Sequence, residues 1–402
     1  MVKIGLIREG KVPVDKRVAL TPKQAVELQQ LFTDIIVVVQ ASKIRCFSDK
    51  AFRKAGIDIV EDVGDCDILL GVKEVPLSEL ISNKTYFFFS HTTKEQPYNQ
   101  RLLQTIIEKQ IRLIDYEGLT NNKGARVVAF GRYAGIVGAY NGIMTYGKRF
   151  NLFNLRSANE CQDLEDLTTE FSKVKLPAIK IIITGRGRVS HGAMEVLDEM
   201  NIVKVTPSDF LANNFDYPVY TQVHSDEYNK TKDGSEFDMN EFRSTPQKFE
   251  GDFLKYTNEA DLLIAGAFWD PEAPVLFTKE DAAKPEFKIK VIADITCDIE
   301  GSIPSTLRSS TISDPLYDYS AVKGEEQPVF SNEDNITVMA VDNLPCELPV
   351  NASNDFGRQL IDNVLPHLFT GDKEGVIKRA TITEDGKLTE KYAYLQDYLE
   401  GK

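Results

Sequence analysis

Cysteine is sparse: the five residues Cys46, Cys66, Cys161, Cys297 and Cys346 lie far apart, with no C-x-x-C pair. That spacing suggests neither a disulfide framework nor a thiolate zinc site, and it suits a reducing, cytoplasmic setting. Histidine is scarcer, with four residues, and no His, Cys or carboxylate grouping has metal-ligand spacing, so no metal is expected. No apolar run reaches the length of a membrane-spanning helix, so no membrane partner is expected. The opening "MVKIGLIREG" lacks the apolar core of a signal peptide. Positive charge is in deficit. With 47 Lys and Arg against 61 Asp and Glu, the net charge of -14 argues against nucleic-acid partners. Basic clusters inside so acidic a chain therefore carry information.

The 402 residues are 42% hydrophobic, enough for two domains with their own cores. Strand and helix patterns alternate through the first third. Strands are predicted at 3–7, 34–40, 67–73, 85–91 and 111–117, and helices at 21–32, 48–56 and just before 111. Alternation of this kind predicts α/β architecture with mostly parallel, doubly wound sheets. The small and apolar residues of 129–150 suit a tightly packed helix connecting two domains. A strand–loop–helix pattern restarts at 179–200, with further strands at 202–206, 261–268, 290–296 and 336–342. Residues 213–258 are polar, dotted with Tyr and Phe, and too long for a plain loop, which predicts a subdomain or arm. The tail reads as a turn and a terminal helix.

Gly185-Arg186-Gly187-Arg188-Val189 follows the strand "IKIIIT" and opens a helix, the context a dinucleotide-binding loop requires. Gly185 suits a tight turn, and Gly187 lets backbone approach a pyrophosphate at the helix N-terminus. Ser190 replaces the third glycine, with Gly192-Ala193 offering close helix packing instead. The next strand pattern ends at Thr206, where an NAD site usually carries a carboxylate. Thr206 together with Arg186 and Arg188 leans towards NADP, with NAD as the alternative. Gly266, at the end of "DLLIAG", is a further cofactor-binding candidate.

The first strand–helix junction, "REGKVPVDKRVALTP", has no glycine fingerprint. Its Arg17, just before a helix N-terminus, suits a small carboxylate. Other strands end in ionisable groups: Lys73 after "LLGV", His91 after "FFFS" with Lys94 beyond, and Glu117 after "IRLIDY". Parallel strands present such ends on one edge, so these four side chains are expected to converge, to hold an anionic substrate and to move protons.

"REGKVPVDKRVALTP", "LLGVKE", "FFSHTTK", "RLIDYE", "RVVAFGRYAG" and "VDNLP" together resemble the alanine dehydrogenase, transhydrogenase and saccharopine dehydrogenase (L-lysine-forming) superfamily. Within it, the chain is similar to the lysine–2-oxoglutarate reductase half of bifunctional aminoadipic semialdehyde synthases, and the likeness runs into the 213–258 segment. The resemblance implies two Rossmann-like domains with a cleft between them: residues 1–135 plus 345–402 for substrate and catalysis, and 136–344 for the dinucleotide. It implies NAD(P)-dependent interconversion of saccharopine with lysine and 2-oxoglutarate. By motif, Lys73 and His91 match the catalytic pair, and Glu117 a carboxylate that tunes the site. Arg17, Lys94 and Arg126 match residues for substrate carboxylates, and Asp342 lies near the cofactor. Homo-oligomerisation, through 213–258, is a further expectation. The alternatives are an alanine dehydrogenase-like enzyme acting on ammonia and a small 2-oxo acid, and a non-catalytic dinucleotide sensor.

Overall fold

Thr21 starts helix α1 (Pro22–Leu31) by accepting a bond from the Gln24 N–H, and the Gln24 side chain accepts in return from the Thr21 N–H. With proline at the first helical position, this reciprocal cap satisfies amides that a helix start leaves open. The computed structural model describes residues 1–402, which divide into two compact units, Met1–Phe130 with Pro349–Lys402, and Gly131–Leu348.

In the first unit, strands β1 (Val2–Leu6), β2 (Ile35–Gln40), β3 (Asp58–Val60), β4 (Ile68–Leu70), β5 (Thr85–Phe88) and β6 (Arg112–Asp115) run parallel. Their spatial order is β6-β5-β4-β1-β2-β3. Tyr86, Phe87 and Phe88 are 1%, 0% and 0% exposed, because helices and loops cover both faces of a parallel sheet. The short strand β3 escapes the sequence pattern, since "DIV" gives too few residues to show a period.

The second unit opens with helix α2 (Gly131–Arg149), the connector read from composition. Strand β7 (Lys180–Thr184) leads through the glycine loop into helix α3 (Arg188–Glu199). The two helices touch backbone to backbone. A Cβ on Gly135 would lie 1.8 Å from the Val189 carbonyl oxygen, and one on Gly192 2.0 Å from that of Arg132. Gly192 thus serves helix–helix contact.

Next come β8 (Val203–Lys204), β9 (Val219–Val223), β10 (Asn229–Thr231), helix α4 (Met239–Ser244) and β11 (Phe249–Gly251). They are followed by β12 (Leu262–Ala265), β13 (Val291–Asp294), β14 (Leu316–Ser320), β15 (Glu325–Gln327) and β16 (Ile336–Met339). The main sheet has the order β15-β14-β16-β13-β12-β7-β9-β8, parallel except at β14 and β15.

This order corrects two expectations. The strand predicted at 202–206 shrinks to the two exposed residues of β8 at the sheet edge. The strand beside β7 is instead β9, inside the segment read as an insertion. Its "VYTQV" is β-branched and aromatic, and it is buried except for half-buried Gln222. The antiparallel pair β10–β11, with α4 between them in sequence, forms a separate two-stranded sheet.

The chain then returns to the first unit with helix α5 (Pro349–Asn363), whose Phe356, Leu360 and Ile361 join that unit's core. The predicted turn near 385 closes a hairpin, β17 (Thr381–Glu384) and β18 (Lys387–Leu388). Strand β17 pairs antiparallel with β6. No helix is long and apolar enough to cross a membrane.

Candidate active site and dinucleotide site

In the first unit, β4 and β5 run parallel and their C-terminal loops stay joined: the Phe89 N–H donates to the Val72 carbonyl at 3.0 Å. Lys73 and His91 follow these strands at the same edge. His91 takes a left-handed backbone, φ 52°. Its Nδ1 lies 2.5 Å from Oε1 of Glu74, whose other oxygen accepts from Lys11 Nζ at 2.8 Å. Phe89 stacks against the imidazole at 18° and 6.4 Å between centroids. Burial alone would push the Glu74 carboxyl up, but the bonds from His91 and Lys11 outweigh it and hold it at about 2. Glu74 is therefore a fixed anion that orients His91 through Nδ1 and leaves Nε2 for exchange with a substrate.

Lys73 is half-buried, and its ammonium is shifted down by burial first, then by the charges of Arg17 and Lys11. The neighbouring backbone is pinned by Glu9, whose carboxylate oxygens accept from the Val72 N–H (2.7 Å) and the Lys73 N–H (2.8 Å). Burial, with Asp15 nearby, raises Glu9 to about 8. Asp115, fully buried, accepts from the Ser90 and Glu117 N–H groups at 2.9 and 2.7 Å. It ties the end of β5 to that of β6, and burial shifts it upward.

The other expected substrate ligands are placed differently. Arg17 is 2% exposed, and its Nε and Nη2 donate to Asp15 at 3.0 and 2.6 Å. Its guanidinium also covers Phe130, 4.1 Å from the ring centroid. Arg17 is thus committed to a buried ion pair and bears on Lys73 through its charge. Lys94 is exposed. Arg126 pairs with Glu117 at 3.5 Å, so these two stand together.

In the second unit, a cavity of about 770 Å³ lies at the C-terminal edge of β7 and its neighbours. Gly185, Arg186, Gly187, Arg188, Val189 and Gly266 all line it. Gly185 has φ +102°, and a Cβ on Gly187 would meet nothing within 4 Å, so the loop's backbone faces open space. The first turn of α3 directs its amides there, where phosphate oxygens are favoured. The Nδ1 of His224, which lines the cavity after β9, is buried without a partner. Open backbone, an orphaned polar atom and a volume in the range of cofactor sites fit a dinucleotide.

Thr206 and Asp342 do not line this cavity. Thr206 caps a short helix through the Asp209 N–H, and β8, which precedes it, is separated from β7 by β9. His224 and Ser225, at the end of β9, take the position assigned to it. Asp342 is exposed, its N–H donating to the Ser310 carbonyl at 3.1 Å. Sequence reasoning also missed Glu9 and Glu74, although both follow strands that end at the active edge.

Residues 5–137 match the family model described as alanine dehydrogenase/PNT, N-terminal domain. The chain is similar to the mitochondrial alpha-aminoadipic semialdehyde synthase of Mus musculus, 31% identical over 452 residues, covering 99% of this chain and 48% of that protein. The Arabidopsis thaliana alpha-aminoadipic semialdehyde synthase is 27% identical, covering 98% and 41%. The chain therefore spans about half the length of these relatives. It is also similar to the saccharopine dehydrogenase [NAD(+), L-lysine-forming] of Emericella nidulans, 26% identical over 90% of this chain and 91% of that one. Among solved structures, an L-alanine dehydrogenase superposes with a TM-score of 0.67 at 16% identity, covering 100% of this chain and 99% of that one. The N-terminal third of the chain is thus similar to the alanine dehydrogenase/PNT N-terminal domain, and the whole chain has an alanine dehydrogenase-like Rossmann α/β fold.

Proposed function

We propose that the chain is an NAD(P)-dependent oxidoreductase that joins the side-chain amine of lysine to 2-oxoglutarate, giving saccharopine, and runs the reverse. The observation that carries this reading is the His91–Glu74 pair beside a depressed Lys73 at one sheet edge. Likeness along nearly the whole chain to aminoadipic semialdehyde synthases and saccharopine dehydrogenases supports the choice of substrates. The bound nicotinamide supplies the hydride that reduces the carbon–nitrogen double bond, or accepts it in reverse.

The residues of the first unit handle protons. Condensation of an amine with a 2-oxo acid loses water, so one group must protonate the departing oxygen and another must take a proton from nitrogen. Nε2 of His91, with its ring held by Glu74, suits the nitrogen. Lys73, whose buried ammonium gives up its proton more readily than a solvated one, suits the oxygen. General acid–base catalysis of this kind contributes about 10²–10⁴-fold. Lys94 and the Arg126–Glu117 pair are the remaining polar groups for substrate carboxylates. In the second unit, Gly185, Gly187, Val189 and Gly266 hold the pyrophosphate and nicotinamide portions. We assign NADP as the preferred cofactor, because the two residues that follow β9 and line the cavity, His224 and Ser225, carry no carboxylate to repel a 2′-phosphate. The five free cysteines fit a reducing, cytoplasmic setting.

Oxidation of NADPH, followed by absorbance with lysine plus 2-oxoglutarate, tests the reading. Turnover with lysine, and none with ammonia plus pyruvate, is the expected result. The reverse pattern would establish the alanine dehydrogenase-like alternative, and binding without turnover on either pair would establish a sensor.

A further inference from the structure

We propose that helix α4 reads the adenosine end of the dinucleotide, with Arg243 and Arg186 gripping a phosphate on the 2′-oxygen of the adenosine ribose. This rests on the dinucleotide reading of the second-unit cavity. It adds a specificity element that lies outside the glycine loop and the main sheet.

Met239, Phe242 and Arg243 all line the cavity. They occupy positions i, i+3 and i+4, so one face of α4 is turned to it. The helix is mounted firmly despite its six residues. Phe242 meets Phe249 edge-on at 5.0 Å and Phe237 at 5.4 Å between centroids, and Phe249 is 2% exposed. Phe249 belongs to β11, so the small β10–β11 sheet anchors the helix. Neighbouring Glu241 is drawn away into a salt bridge with Lys248 at 2.7 Å. Arg243 consequently has no acidic partner within the chain, and neither has Arg186 across the same cavity. Two unpaired guanidiniums facing one space in a protein of net charge -14 mark a site for an anion with more than one negative charge.

The sheet order says which anion. In this fold class the ribose nearest adenine is read at the end of the strand next to the glycine-loop strand. That strand is β9, and it delivers His224 and Ser225 to the cavity. His224 brings a buried Nδ1 for which no hydrogen bond is formed within the chain. Of the nearby acids, Glu227 accepts from the His224 N–H at 2.7 Å, and Asp270, which lines the cavity, accepts from the Glu272 N–H at 2.9 Å. Met239 and Phe242 offer an apolar wall for the adenine ring.

The test needs no catalysis. The chain's one tryptophan, Trp269, lines the cavity, so its fluorescence reports occupancy directly. Binding of 2′,5′-ADP and of 5′-AMP, neither of which carries nicotinamide, is titrated on the full chain and on Arg243→Ala and Arg243→Lys, with calorimetry as a second readout. The wild-type protein is expected to bind 2′,5′-ADP at least about 10-fold tighter than 5′-AMP. Arg243→Ala should remove about 10-fold or more of that preference and leave 5′-AMP unchanged, and Arg243→Lys should recover part of it. Equal wild-type affinity for the two nucleotides would overturn the phosphate grip while leaving the dinucleotide cavity intact. Equal loss for both nucleotides in Arg243→Ala would overturn it too, assigning Arg243 to the 5′-phosphate. Failure to bind either nucleotide would overturn the dinucleotide reading itself.

Discussion

Replacing Glu74 by Gln removes one negative charge and keeps the shape that His91 and Lys11 meet. The carboxyl moves from its ordinary 4.5 to about 2 in the folded protein. A tenfold change in proton affinity corresponds to about 1.36 kcal/mol, so the site favours the charged form by about 3 kcal/mol. The side chains of Glu74 and His91 are 12% and 17% exposed, so little of their share is lost to solvent screening. Lys11 is 35% exposed and contributes less. The sign follows from a depressed carboxyl. Its stabilisation is complete above about pH 4.5 and fades as pH falls towards about 2. Urea unfolding of the wild type and Glu74→Gln should therefore differ by up to about 3 kcal/mol at pH 7, and the gap should narrow steadily below pH about 4.5. Turnover of the variant should fall as well, because the His91 ring loses its charged anchor. A gap that stays constant from neutral to acid pH would refute the ion-paired Glu74, as would no gap at all.

His91→Gln should lower kcat by about 10²-fold or more while 2′,5′-ADP affinity is unchanged; near-normal kcat would return His91 to a structural role. Combining it with Lys73→Met should cost well short of the two single losses together if the pair acts as one relay, which steady-state kinetics on all three variants decides. Arg17→Ala should destabilise the protein by about 3–5 kcal/mol, because it breaks a buried ion pair; a normal unfolding midpoint with a raised substrate KM would make Arg17 a direct ligand. Gly135→Ala puts a methyl 1.8 Å from the Val189 carbonyl oxygen, so thermal unfolding should begin well below the wild-type temperature; an unchanged melt would mean that α2 and α3 can part without cost.

The edge carrying Lys73 and His91 was legible because period-2 and buried strand patterns locate strand ends, and parallel strands align those ends. Glu74 escaped because a charged neighbour of Lys73 reads as ordinary loop polarity until a fold brings Nδ1 of His91 to it. Glu9 escaped similarly, since its partners are the backbone amides of Val72 and Lys73, 63 and 64 residues away. Thr206 was misplaced for a topological reason: the strand after α3 in sequence is not its neighbour in the sheet. The pairing of Arg17 with Asp15 was not legible, because an Asp two residues away faces it only once the loop is folded. The strand–turn–helix setting of the glycine loop was legible because a buried strand, two close glycines and a helix start follow one another in the chain.

The pairing of β17 with β6 has a consequence for synthesis. Residues 131–348 are continuous, so the second unit can close while the ribosome is still at work. The first unit cannot. Until residue 384 has emerged, β6 keeps an open edge, and the core lacks Phe356, Leu360 and Ile361. For most of translation the nascent chain carries an unfinished sheet with an adhesive border. A polypeptide interrupted between residues 349 and 380 would present a folded second unit joined to an aggregation-prone partner, and quality control would meet it as such.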